Sequence, residues 1–163
     1  MSEQPEKKVP TKEEMHKYYA IEFFNQSWDF LDKYVASKEI EDGETALRLA
    51  YASAQHWSYV GTTLNTQRGE WMISHVAAVL KRPEQALHHA KRCYDLTMEH
   101  HFTDFDLGYA YEGMARAYAA AGNRDEALKW RELALHSVEQ IKEQGDRDQF
   151  LSDMNNDLWF DIK

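Results

Sequence analysis

The sequence has only one cysteine and no secretion signal. A single thiol, Cys93, excludes the intramolecular disulfide framework that stabilises many small secreted domains. Residues 1–14 are polar and charged and lack the apolar core of a signal peptide. We therefore expect a protein of the reducing cytoplasm.

Long apolar runs and blocks of positive charge are also missing. No run approaches the roughly 20 apolar residues that cross a membrane, and the mean hydropathy is -0.74. The formal net charge is -9, which opposes non-specific attraction to phosphate backbones. We expect neither a membrane nor a nucleic acid as a partner.

Proline and glycine are scarce, with three and seven residues in a chain of 163. The stretches between them are rich in Ala, Leu, Glu, Lys and Arg, which is a composition typical of helices. Residues 1–10, which hold two of the prolines, are predicted to be a disordered leader. Residues 11–163 are predicted to form a single domain, long enough to bury a core without disulfides.

Apolar periodicity and cap residues predict about seven helices. The first helix is predicted from the Thr11/Glu14 capping box to about Ala36, the second over about residues 44–58, and the third over about residues 65–80. The last four are predicted over residues 83–99, after Thr103, after Asn123, and over residues 146–162. Short turns between consecutive helices predict antiparallel hairpins.

The clearest motif lies in residues 111–135. It consists of Tyr111, Met114, Ala115, Tyr118, Gly122, Ala127 and Ala134. This order of aromatic, apolar and small residues around a turn glycine resembles the tetratricopeptide repeat (TPR) family. Two positions depart from that pattern, because Arg131 stands where the family has an aromatic residue and Glu139 where it has a closing proline.

The resemblance extends weakly to the rest of residues 12–142. The pair Ala127-Leu128 is echoed by Ala86-Leu87 and Ala46-Leu47, at separations of 41 and 40 residues. It implies an all-α, TPR-like array of three antiparallel helical hairpins, with repeats longer than the usual length of about 34 residues. A C-terminal helix carrying Phe150, Leu151, Met154, Leu158 and Trp159 is expected to cap the array. The alternative is a self-association surface on that helix, around Leu158, Trp159 and Phe160, which would give a homo-oligomer.

The resemblance also implies a concave groove lined by the first helix of each hairpin. Transferring the repeat phase gives six candidate binding residues: Arg68, Trp71, His75, Tyr109, Glu112 and Arg116. Spacings of three and four place each trio on one helix face, and the mixture suits a small polar ligand or a peptide with a charged end.

As groove residues, Arg68 and Arg116 should tolerate alanine without loss of the fold. The alternative is that Glu112 and Arg116 form an ordinary surface ion pair and that Trp71 belongs to the core. In the first hairpin the insertion before Gly43 breaks the register of the repeat, and Asn25, Trp28 and Asp32 are candidate lining residues.

Histidines and the cysteine give weaker signals. His88-His89 and His100-His101 lie near Asp104 and Asp106, but no histidines stand three or four apart and no HExxH occurs, so solvated side chains are expected in place of a metal site. His56 could act as a general base oriented by Glu70 or Glu112, or could be structural at a helix end. Cys93 is expected to be a buried small residue.

The sequence contains no diagnostic catalytic, phosphate-binding or dinucleotide-binding motif, and no cofactor is predicted. The resemblance implies a module that binds a protein, a peptide or a small polar ligand in its groove. The alternative is a small enzyme or metabolite-binding regulator that uses the His, Arg, Glu and aromatic residues of the same groove.

Overall fold

The computed structural model describes residues 9–156 and 159–162, which form an all-helical fold. Within these residues there are seven α-helices, one short 3₁₀ turn and no strand. The helices are α1 (Lys12–Ser37), α2 (Ile40–Val60), α3 (Thr63–Val79), α4 (Pro83–Glu99), α5 (Asp104–Ala120), α6 (Arg124–Ser137) and α7 (Gln144–Asn155), with the 3₁₀ turn at Val138–Gln140. The predicted all-α class is confirmed. Most of the predicted disordered leader, residues 1–8, lies outside the described residues.

Three helices begin where their cap residues predict. The side chain of Thr11 accepts from the Glu14 amide at 3.1 Å, and Glu14 accepts from the Thr11 amide at 2.7 Å, which completes the capping box. Pro83 occupies the first turn of α4. Asn123 accepts from the Glu126 amide at 3.3 Å at the start of α6.

Two helices differ from their predicted bounds. Helix α2 begins at Ile40, so the predicted start near residue 44 is wrong and Gly43 lies inside the helix, where a Cβ atom would overlap Leu80 Cδ2. Gly43 is therefore a point of close packing and not a break between helices. Helix α7 ends at Asn155 and does not continue to residue 162.

The three hairpins α1/α2, α3/α4 and α5/α6 pack side by side. Small, buried residues occur on the second helix of each hairpin: Ala46, Ala50, Ala86, Ala90, Cys93, Ala127 and Ala134. They let neighbouring helices approach closely. The first hairpin is longer because α1 has 26 residues and α2 has 21, against 17 each in α3, α4 and α5.

Helix α7 packs against α5 at the end of the array. Gly108 makes this contact close, since a Cβ atom there would lie 3.2 Å from the Phe150 ring. Phe150, Met154 and Trp159 are fully buried in the core cluster of the last hairpin. Trp159 is thus part of the core and not of an exposed self-association surface, while Leu158 lies outside the described residues.

None of the described helices combines the length and the apolar character that a membrane crossing requires.

Candidate functional site

A cavity of about 460 Å³ lies between α1, α3, α5 and α7. Five aromatic side chains and five polar ones line it: Phe24, Trp28, Trp71, Phe105 and Tyr109, with Gln67, Arg68, Asp106, Gln149 and Asp153. We call this cavity the groove. Its aromatic walls and few polar groups are typical of a small-molecule site.

Helices α3 and α5 contribute to the groove in the same pattern. Residues at positions i, i+1 and i+4 line it on each helix: Gln67, Arg68 and Trp71 on α3, and Phe105, Asp106 and Tyr109 on α5. The two sets are 38 residues apart, the separation of Arg68 from Asp106. On α5, the repeat phase used in the sequence prediction selects residues about one helical turn closer to the C-terminus than those that line the groove.

The six predicted binding residues lie in two layers. Arg68, Trp71 and Tyr109 line the groove. His75, Glu112 and Arg116 are buried beneath it, with exposures of 5%, 0% and 1%. Trp71 joins the layers, because its Nε1 donates to Glu112 Oε2 at 2.8 Å and its ring stacks on His75 with centroids 5.0 Å apart.

Glu112 and Arg116 form a buried ion pair on α5. The guanidinium also donates to the Asp153 carbonyl at 3.2 Å and lies 4.3 Å from the centre of the Trp159 ring. An exposed pair of this spacing would be a minor surface feature, so that alternative is wrong here. The pair anchors α7 to α5 and thereby positions Asp153 on the groove wall.

Arg68 and Asp106 form a second ion pair, at the mouth of the groove. Arg68 Nε and Nη2 donate to the two Asp106 carboxylate oxygens at 2.8 and 3.1 Å. This hydrogen bonding raises the pKa of Arg68. The guanidinium is half exposed but already engaged by a carboxylate.

Gln67 lies beside this pair with its amide buried. Its Nε2 donates to Thr97 Oγ1 at 2.9 Å and to the Asp106 carbonyl at 3.2 Å. Because a carbonyl can only accept, these bonds fix which end of the amide is nitrogen. Its Oε1 is buried and receives no hydrogen bond.

Asp153 and Tyr109 form the wall that α7 and α5 share. Tyr109 Oη donates to Asp153 Oδ2 at 2.5 Å, and Gln149 Nε2 donates to Asp153 Oδ1 at 3.2 Å. Burial, together with the hydrogen bond to Asp153, raises the pKa of Tyr109. Tyr109 therefore stays a neutral hydrogen-bond donor to the Asp153 carboxylate.

His75 lies at the floor of the groove between two indoles. Its ring centroid is 5.0 Å from that of Trp71 and 5.2 Å from that of Trp28, and its Nδ1 has no hydrogen-bond partner. Burial lowers the pKa of His75 well below its usual range, and the charge of Arg116 lowers it further. The imidazole is therefore neutral at physiological pH.

The candidate residues of the first hairpin are divided among different places. Trp28 lines the groove, as does Phe24 one turn before it. Asn25 lines a neighbouring cavity of about 190 Å³, which also touches Arg68. Asp32 lines neither cavity.

The residues considered for general-base chemistry do not come together. His56 Nδ1 is 2.9 Å from His16 Nδ1. Glu70 instead bonds His89 at 2.5 Å and Arg92 at 2.9 Å. Burial raises the pKa of Glu70, but the hydrogen bonds and the charges of His89 and Arg92 together lower its pKa overall. Glu112, the other carboxylate considered, is held in the buried pair.

In the part of the chain that the structure describes, no three His, Cys, Asp or Glu side chains are grouped in a way that could hold a metal ion. Cys93 is buried, as expected, and burial raises the pKa of its thiol.

Six lining residues are absent from the sequence-based candidates: Phe24, Gln67, Phe105, Asp106, Gln149 and Asp153. The spacing of Phe24 from Trp28 carried a usable signal, because it places both rings on one face of α1. Gln149 and Asp153 carried none, because repeat phase cannot show how a terminal helix docks. In comparisons with known proteins, no family, no curated protein and no solved structure matched this chain.

Proposed function

We propose that this protein is a ligand-binding module and that the groove is its binding site. The observation that supports this most directly is the groove itself, an aromatic-lined cavity of about 460 Å³ between four helices. This volume lies within the range of about 300–1,000 Å³ of known small-molecule sites. The resemblance of the third hairpin to tetratricopeptide repeats supports a binding role by analogy.

The polar groups of the groove favour binding over catalysis. Glu112 is held by Arg116, Arg68 by Asp106, and the His75 imidazole lies between indole rings without a carboxylate to orient it. A general base needs a partner proton within hydrogen-bond reach and a suitable pKa. The carboxylates and guanidinium groups instead pair with one another, and His75, Glu112 and Arg116 form the buried layer beneath the groove.

The shape of the groove favours a compact ligand. Helix α7 closes one side through Gln149 and Asp153, so the space suits a small polar molecule or a single side chain of a peptide partner better than an extended peptide. We also propose a cytoplasmic location, in keeping with a chain whose cysteine is a buried free thiol.

A thermal-shift screen of metabolites tests this proposal, with a variant that fills the groove. Gln149 is exposed on the groove wall, so Gln149→Trp would occupy the cavity without disturbing the core. Ser152→Trp is the matched control, because Ser152 is exposed on the same helix and does not line the cavity.

A true groove ligand at about 100 times its dissociation constant should stabilise the wild type by about 2.7 kcal/mol, or roughly 5–11 °C. The Ser152→Trp variant should respond equally, and Gln149→Trp should not respond. Ligands that stabilise Gln149→Trp as much as the wild type would show that the groove is not the binding site.

A further inference from the structure

The charged side chains on the groove wall leave one carboxylate without a counter-ion. Among the described lining residues the charged ones are Arg68, Asp106 and Asp153, and the first two neutralise each other. The partners of the Asp153 carboxylate are Tyr109 and Gln149, both neutral donors. In residues 9–156 and 159–162, no cationic group lies within 4.0 Å of this carboxylate. The groove therefore carries a net negative charge.

Two arginines near Asp153, Arg116 buried and Arg131 half-buried, do not neutralise it. Arg116 is paired with Glu112 and reaches Asp153 only at its main-chain carbonyl. Arg131 donates to the Met154 carbonyl at 3.0 Å and faces the Trp159 ring at 5.4 Å. Neither guanidinium lines the groove.

The aromatic rings of the groove surround the space at different angles. The Trp71 ring meets Tyr109 edge-on, with centroids 5.0 Å apart, and Trp28 is tilted against Trp71 at 5.9 Å. Phe105 is tilted against Tyr109 at 4.5 Å. Rings arranged in this way present their electron-rich faces in several directions, which is how aromatic cages hold cations.

The hydrogen-bonding groups around the groove favour a ligand that donates. Gln67 Nε2 donates to Thr97 Oγ1 and to the Asp106 carbonyl, so it is not free to donate to a ligand. The donors nearby are already used, since Tyr109 Oη bonds Asp153 and Trp71 Nε1 bonds Glu112.

We propose that the groove selects an organic ammonium ion, in which a cationic N–H group on an apolar body faces the Asp153 carboxylate while the body lies among the aromatic rings. This inference rests on the proposed function. Arg68 and Arg116 do not oppose a cationic ligand, because both guanidinium groups are engaged by carboxylates. The ammonium could belong to a free amine or to the side chain of a lysine in a peptide.

Matched compounds that differ only in charge test the proposal. The first set is 4-phenylbutylamine, 4-phenylbutanol and 4-phenylbutyrate, and a second set carries a naphthyl body in place of the phenyl ring. Isothermal titration of the full chain gives the dissociation constant of each compound. We expect the amine of a set to bind at least tenfold more tightly than its alcohol, with the carboxylate weakest.

Substitution of the carboxylate assigns this preference to Asp153. Asp153→Asn keeps an oxygen that accepts from Tyr109 but removes the charge, so the amine should lose most of its advantage while the alcohol binds as before. Asp148→Asn, on an exposed part of α7 outside the groove, is the control with the same net charge and should retain the preference. Titration with Nα-acetyl-lysine methylamide distinguishes the two sources of the ammonium, since tighter binding of the phenylalkyl amine identifies a free amine as the ligand class.

Two outcomes would overturn the inference. An alcohol or carboxylate that binds as tightly as its amine, with binding lost in Gln149→Trp, would leave the groove as the site but refute its selectivity for cations. A failure of every compound to bind would also refute it, whereas groove binding as such is decided by the metabolite screen.

Discussion

Arg68→Ala and Arg116→Ala should lower the free energy of unfolding by very different amounts, although the repeat phase predicts both residues to line the groove. Arg116 is 1% exposed, and its removal would leave the Glu112 carboxylate buried without a cation. Breaking a buried ion pair costs about 3–5 kcal/mol. Arg68 is 51% exposed, and loss of a solvent-exposed pair costs about 0.2–1 kcal/mol.

Urea denaturation followed by circular dichroism measures both values. Arg116→Ala should lower the free energy of unfolding by about 3–5 kcal/mol, which corresponds to a melting temperature lower by roughly 6–20 °C. Arg68→Ala should change the free energy by about 1 kcal/mol or less. The sequence alone predicts that both variants keep their stability, and the burial of Arg116 changes this prediction for Arg116→Ala.

A double variant separates the charge from the packing. Glu112→Gln with Arg116→Met removes both charges, keeps an oxygen for Trp71 Nε1 and retains an apolar stem, so it should be more stable than Arg116→Ala alone. If Arg116→Ala itself costs less than about 1 kcal/mol, the pair is solvated and the two-layer description of the site is refuted.

Three further predictions concern stability and reactivity. Burial keeps His75 neutral in the folded state, so only the unfolded state gains this proton as the pH falls below about 6.5. The free energy of unfolding should therefore decrease below that pH by up to about 1.4 kcal/mol per pH unit. His75→Phe should remove this part of the pH dependence when unfolding is measured between about pH 5 and pH 8. Asn123→Ala should cost about 1 kcal/mol in urea denaturation, whereas Thr103→Ala should cost much less because the Thr103 side chain makes no cap bond; equal losses would contradict this difference. Cys93 should react with a thiol reagent only as fast as the chain unfolds, and rapid labelling of the native protein would show that the contacts around α4 are looser than described.

Local chemistry made much of the fold predictable. Thr11, Pro83 and Asn123 each satisfy or remove a backbone donor at a helix start, and such effects act over a few residues of sequence. The buried alanines of the hairpins were predictable for a similar reason, because their spacing marks the contact face of a helix.

Gly43 and the C-terminal helix show where local signals fail. A glycine inside a polar stretch indicates a break unless a neighbour needs the space, and here the neighbours are Leu80 and Tyr34 from other helices. Helix α7 ends at Asn155 so that Trp159 can turn back into the core, which is a tertiary requirement.

The site was predictable only in part for the same reason. Repeat phase located the correct helices and found Arg68, Trp71 and Tyr109. It could not show that Glu112 and Arg116 are buried, because α7 and Trp159 cover them. Asp153 decides the charge of the groove, yet nothing in its own sequence neighbourhood marks it as a site residue.

The most direct test of the groove uses the tryptophan indoles as reporters. Five tryptophans give indole N–H resonances, of which Trp28 and Trp71 line the groove and Trp130 packs elsewhere, against Tyr94. Titration with a compound that stabilises the wild type but not Gln149→Trp should shift the Trp28 and Trp71 resonances and leave that of Trp130 unchanged. A larger shift at Trp130 than at either groove indole would contradict the claim that the groove is the binding site.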